Sequence, residues 1–310
     1  MYKRFFGLTA NPFTANPDPR FLYFTPQLRE AFACLAYGIR TGKGFVLLTG
    51  EVGTGKTTLL NRLLQWLREQ RMPTAFIFNP RLTQQEFFHY MLAEFGIENQ
   101  STSKGEILLK LNDWLLERLA KNETPVLIID EAQHLSDDML EEIRLLTNLE
   151  TSSQKLLQIV LCGQPELAEK IASPHLRQLR QRIALRTKTM PLSAEETTHY
   201  IQQRLRMSGA QREVFTAEAI AAVQEHAAGI PRLINLICEN SLIAAFADGR
   251  TTVGPEIVGN VARDWDLADR KALPNAGELP RADDSAVIFK SLVSLAERLN
   301  ERSTAVKQES

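Results

Sequence analysis

No stretch of this 310-residue chain stays apolar for the roughly 20 residues that a bilayer-spanning helix requires. Its opening residues, MYKRFFGLTANPF, lack the apolar core and small-residue cleavage site of an export signal. Both absences lead to the expectation of a cytoplasmic protein with no integral membrane segment. Charge of a single sign is lacking too. The 36 Lys and Arg residues stand against 37 Asp and Glu, a formal net charge of -1, so no global field draws the chain to nucleic acid or an anionic membrane. Only a local patch could bind either. Cysteine is scarce: Cys34, Cys162 and Cys238 are scattered, odd in number and set in apolar sequence, which excludes a disulfide framework and fits reduced thiols. The histidines, at positions 89, 134, 175, 199 and 226, share no metal-ligand spacing.

What the chain does have is an ordinary globular makeup, 44% hydrophobic and 24% charged, with length for one large domain and an appendage or for two domains. Short apolar or β-branched runs at 44–50, 74–79, 126–130, 156–162 and 184–190 read as five strands. Between them, segments such as TTLLNRLLQWLREQ and GEILLKLNDWLLERLAKN carry apolar residues at helical spacing. Strand and helix in alternation predict an α/β fold, a mostly parallel five-stranded sheet flanked by helices. After Met190 only helical periodicity continues, broken by Gly and Pro, which predicts a small all-α domain. The expected division is 1–190 for the α/β domain, 191–265 for the helical domain, 266–284 for a linker and 285–310 for a short amphipathic helix and tail. The stripe Ile288, Leu292, Leu295 and Leu299 on that last helix suits docking either on the chain's own surface or on a partner.

The segment GEVGTGKT, residues 50–57, matches the phosphate-binding pattern G-x-x-x-x-G-K-[ST] and stands between an expected strand and an expected helix. There the backbone of Gly50, Glu51, Val52, Gly53, Thr54, Gly55, Lys56, Thr57 and Thr58 can wrap the phosphates of ATP, aided by the helix N-terminus. Lys56 would reach the β and γ phosphates, and the Thr57 hydroxyl would bind Mg²⁺. A nucleotide with Mg²⁺ also needs a carboxylate for the metal's waters and a base for the attacking water. The stretch VLIIDEAQHL, 126–135, offers Asp130 at a strand end for the first role, acting on Mg²⁺ through water, and Glu131 for the second. The rival reading makes both acids a helix N-terminus, but Ser136 in SDDML is a better N-cap. A helicase box, which DEAQ resembles in letters, would need a second motor domain for which the remaining chain has no room.

With these motifs stand FFGLTANPF (5–13), GQPEL (163–167), LRQLRQRI (176–183) and GIPRLIN (229–235). In this ordered set the chain resembles the AAA+ P-loop ATPases, specifically the ExeA or general secretion pathway protein A family, over roughly residues 1–265. The resemblance implies an ATP- and Mg²⁺-dependent ATPase that works as a homo-oligomer, with the helical domain as a lid. It implies Gln164 as the polar sensor beside the γ phosphate. It also implies Arg182 as an arginine finger acting on a neighbouring subunit, with Arg177 and Arg180 as rivals, and Arg232 as the second sensor on the lid. The N-terminal aromatics would frame the adenine, or Phe5, Phe6 and Phe13 would anchor the start of the chain to the core. The chain is expected to correspond to the family's ATPase domain without its membrane helix and peptidoglycan-binding domain, so envelope attachment is not carried over. Two roles stay open. One is a nucleotide-driven switch or assembly motor for protein partners in secretion, cell-envelope or exopolysaccharide machinery. The other is a DNA-dependent regulator resembling the transposition ATPases TniB and MuB, using Arg177, Arg180, Arg182, Arg186 and Lys188 on phosphate backbones.

Overall fold

The computed structural model describes residues 2–14, 23–78, 82–152 and 154–267. They fall into two compact units, Pro17–Pro191 and a second that joins Met1–Asn16 to the chain from Leu192 onward. The first described element, the one-turn helix α1 (Tyr2–Phe5), belongs to the second unit. The first unit then runs α2 (Pro26–Arg40), β1 (Phe45–Gly50), α3 (Lys56–Glu69), β2 (Thr74–Ile77), α4 (Gln84–Glu94), α5 (Lys104–Ala120) and β3 (Val126–Ile129). It continues with α6 (Asp137–Leu146), β4 (Gln158–Gly163), α7 (Pro165–Ala172), α8 (Arg177–Arg182) and β5 (Ile183–Thr189).

The five strands form one parallel sheet in the order β2-β3-β4-β1-β5. Burial on both faces explains the uninterrupted apolar runs, because a parallel sheet covered on each side has no face to leave polar. Alternate residues serve opposite layers. Phe45, Leu47, Leu127, Ile129, Ile159 and Leu161 pack with α4, α5, α6 and α7. Val46, Leu48, Val126, Ile128, Val160 and Cys162 pack with α2 and α3. Edge strand β5 breaks the rule by exposing Ala184, Arg186 and Lys188, and charges on an edge discourage pairing with another chain.

Helix α2 has no counterpart among the expected elements. Thr25 caps it by accepting from Leu28 N at 3.0 Å, and Pro26 opens it with a ready-made helical φ. Its Gly38, an unfavourable residue inside a helix, weakens the sequence signal. A Cβ there would lie 2.5 Å from Val46 Cγ2, so the glycine lets α2 lie close against β1.

The second unit contains α9 (Ala194–Met207), α10 (Ala217–Ala227), α11 (Pro231–Ala247) and α12 (Pro255–Asp264). Gly229, which precedes α11 with φ +74°, could not carry a side chain: a Cβ would sit 2.0 Å from the Leu192 carbonyl oxygen. Its own carbonyl accepts from Leu192 N at 2.7 Å.

The start of the chain requires a correction to the expected α/β domain of 1–190, because residues through Thr14 pack with the helices. Phe13 meets Phe215 edge-on at 6.1 Å and Phe5 meets Phe246 at 5.4 Å. Arg204 donates to the Pro12 carbonyl at 2.7 Å, Arg212 to that of Phe5 at 2.9 Å, and Tyr2 Oη to Glu239 Oε1 at 2.8 Å. The aromatic side chains find their core in the helical unit, and polar ties, that of Arg204 buried, fix the strap there. The segments expected as linker, 266–284, and tail helix, 285–310, lie outside the described residues except for 266 and 267.

Candidate functional site

The sheet order places β4 between β1 and β3, so the turns that follow these three strands share one carboxyl edge. In parallel α/β sheets that edge, at the point where the strand order reverses, is where ligands bind. The turn after β1 is the glycine-rich loop. Gly50 permits its closure onto β5: a Cβ there would lie 2.0 Å from Thr189 Oγ1. Thr54 Oγ1 donates to the Glu51 carbonyl at 2.7 Å and lies 2.7 Å from Thr189 Oγ1. Gly53 and Gly55 adopt φ of 82° and 99°, which L side chains rarely tolerate. Gly55 caps α3 with no side chain, and the first N–H groups of a helix have no partner within it. They face whatever binds at the loop, as an anion site requires.

Lys56 is only 6% exposed, and its Nζ donates to the carbonyls of Gly50 at 2.8 Å and Glu51 at 3.1 Å. The loop's own oxygens therefore hold the ammonium within the loop. Thr57 is exposed on the first turn of α3, with its hydroxyl available to a ligand.

The turn after β3 carries Asp130 and Glu131 in different environments. Asp130, 6% exposed, accepts from Glu131 N at 2.9 Å. Burial pushes its carboxyl above the ordinary range, opposed by the Cys162 thiol, the Glu131 amide and the charge of Lys56. The thiol is pushed well up in turn, by burial first and then by Asp130, so it stays a donor to the carboxylate. Glu131 is half-buried and sits in the left-handed region at φ 52°, ψ 35°. Its Oε2 accepts from Gln133 Nε2 and, at 3.3 Å, from Gln164 Nε2. Neither acid caps a helix of any length: a three-residue 3-10 turn, Ala132–His134, follows, and Ser136 caps α6 by accepting from Met139 N at 3.2 Å.

Of the expected residues, the loop at 50–58, Asp130, Glu131 and Gln164 share the sheet's carboxyl edge. Gln164 stands at the end of β4 and opens α7. Arg182 closes α8, is exposed, and donates to Asn148 Oδ1 at 3.2 Å. Arg177 and Arg180 are exposed on the same helix, with Arg180 donating to the Ala172 carbonyl at 3.3 Å. Arg232 lies on the first turn of α11 in the helical unit and is exposed. Three residues of the edge escaped sequence reasoning. Thr189 and Cys162 touch the site from strands distant in sequence, and Gln133 hides inside the DEAQ motif as an unremarkable amide.

The residues fit a nucleotide with Mg²⁺: a cradle closed by glycines, a buried ammonium, a first-turn hydroxyl and one buried carboxylate. Among the described residues no three His, Cys, Asp or Glu side chains form a metal cage, and Mg²⁺ held through phosphates and waters requires none.

Residues 39–171 match the family described as AAA domain. The chain is 47% identical over 250 residues to the general secretion pathway protein A of Aeromonas hydrophila, covering 80% of this chain and 46% of that protein. It thus spans about half of that relative's length. Among solved structures it is similar in fold to Cdc6p of Pyrobaculum aerophilum, with TM-score 0.62, 19% identity, and 80% and 70% of the two chains covered. It is also similar to the RuvB Holliday junction branch migration motor of Thermotoga maritima, with TM-score 0.53, 16% identity, and 79% and 71% covered. At these identities the structures speak for the fold alone. No helix among the described residues is long and apolar enough to cross a membrane.

Proposed function

We propose, from the premise that this chain belongs to the AAA+ family of P-loop NTPases and is related to general secretion pathway protein A, that it hydrolyses ATP to ADP and phosphate. One observation carries the reading: a buried lysine, a buried aspartate and a glutamate held by two amides share one sheet edge beside a helix N-terminus. Lys56 and the amides of 50–58 hold the phosphates. Glu131 accepts the proton of the attacking water, and Gln164 orients that water or the γ phosphate. Mg²⁺, held by Thr57 and by Asp130 through water, would neutralise charge on the transferred phosphoryl group. Arg182 is the first choice for a cation supplied to a neighbouring copy, with Arg177 and Arg180 as rivals, and Arg232 serves as sensor from the helical lid. The reading therefore includes a homo-oligomer.

The biological work is a nucleotide-driven switch or assembly motor in the cytoplasm, acting on protein partners of secretion, envelope or exopolysaccharide machinery. Its support is the relative's printed name, and only about half of that relative is covered. A second reading, a DNA-dependent ATPase regulator, is favoured by one feature: Arg177, Arg180, Arg182, Arg186 and Lys188 are all exposed on α8 and β5.

One experiment separates these readings. Phosphate release is measured with Mg²⁺ over a range of protein concentrations, with and without duplex DNA, at low and moderate salt. Turnover per chain that rises with concentration and ignores DNA is expected. Stimulation by DNA that collapses as salt rises would favour the second reading, because phosphate contacts release counterions. No phosphate release at any concentration would refute hydrolysis.

A further inference from the structure

Gln133 connects the two turns on which the site depends. Its Nε2 donates to Glu131 Oε2, and its Oε1 accepts from the backbone N of Gln164 at 3.1 Å. Gln164 Nε2 reaches the same Glu131 oxygen at 3.3 Å, which closes a ring of three residues, one link through the Gln164 backbone, across the ends of β3 and β4. The fit leaves no slack: a Cβ on Gly163 would lie 2.6 Å from Gln133 Oε1. A second tie also holds the turn. Lys170 Nζ already pins the backbone, donating to the carbonyls of Gln133 at 3.0 Å and Leu135 at 2.7 Å.

We infer that Gln133 is a positioning residue, which fixes the Glu131 carboxylate and the Gln164 sensor relative to each other so that one defined carboxylate oxygen meets the attacking water. Both amides address Oε2, leaving Oε1 as the oxygen turned to the water. Glu131 also has a left-handed backbone, a conformation unfavourable for a residue with a Cβ that persists only where its surroundings hold it. A side chain on that backbone, free to rotate, would spend much of its time off the reaction line. Misplacement of a catalytic group by about 1 Å can cost roughly a hundredfold in rate.

The inference rests on the proposal that Glu131 serves hydrolysis, and the test separates the two. Gln133→Glu keeps the size and the acceptor oxygen for Gln164 N but replaces the donor to Glu131 with a like charge. Three quantities are read: ATP affinity, kcat, and hydrogen exchange at the Gln164 backbone amide. A positioning role predicts ATP affinity within about twofold of wild type, a protected Gln164 amide, and kcat lower by at least about tenfold. Gln133→Leu, which removes both ends of the bridge, should lose the protection as well as the rate. If Gln133 only tied the turns together, Gln133→Glu would keep the tie and turn over like the wild type, which would overturn the inference. So would loss of Gln164 protection in that variant. Absence of turnover in the wild type would instead overturn the hydrolysis reading, and this inference with it.

Discussion

In the phosphate loop the positive φ angles fall on Gly53 and Gly55, at 82° and 99°, whereas in the turn after β3 the positive φ of 52° falls on Glu131. Glycine reaches that region without steric cost, so the loop carries its shape in its own residues. Glutamate does not, so the acid turn needs outside restraint, supplied by Gln133 and Gln164 on the carboxylate and Lys170 on the backbone. The two turns also treat charge differently. Lys56 is buried with its Nζ bonded to two loop carbonyls, while Asp130 is buried at a cost that its hydrogen bonds offset only in part. A loop proposed to bind is thus relaxed, and a turn proposed to act is strained and partly desolvated, as functional sites often are.

Breaking the relaxed side should have the larger effect. Gly50→Ala forces a methyl against Thr189 and the phosphate loop, so stability should fall by on the order of 3 kcal/mol in denaturant melts, with nucleotide affinity falling too. Unchanged stability would mean that the loop does not close on β5. The strained side should respond in the opposite sense. Because burial raises the Asp130 carboxyl, the native state binds its proton more tightly than the unfolded state does. That contribution to stability is present in acid and is lost as pH rises through the raised value. At neutral pH, Asp130→Asn should therefore raise Tm by a few degrees, with the gain shrinking toward acid pH, while Mg²⁺-dependent turnover disappears. A lower Tm at neutral pH would contradict the assignment of a burial cost to this carboxylate.

The same contrast explains what could be read in advance. The loop's pattern of glycines, Lys56 and Thr57 states its geometry locally, and uninterrupted apolar runs state the inner strands β1, β3 and β4, because each is buried on both faces. Thr189 was not legible, since it meets Thr54 from 135 positions away and nothing in the TKTM sequence marks it. Gln133 was in plain view yet silent, because an amide that bridges two turns has no periodicity. The aromatics at 5–13 announced burial but not where. Phe13 and Phe215 are neighbours only through the fold, so the strap's place with the helices was invisible in a linear reading. Helix α2 was missed because Gly38, needed for close approach to β1, lowers helical propensity where the helix packs most tightly.

The loop is proposed to bind and the acid turn to act. Equilibrium binding of ATP with Mg²⁺ to Lys56→Ala and Glu131→Gln, with phosphate release followed in the same samples, tests this division of roles most directly. Affinity at least about a hundredfold weaker is expected for Lys56→Ala, a loss of about 2.7 kcal/mol. Glu131→Gln should bind with wild-type affinity, with release slowed by about 10²–10⁴-fold so that ATP stays bound and intact. Equal loss of binding in both variants, or wild-type binding by Lys56→Ala, would contradict that division.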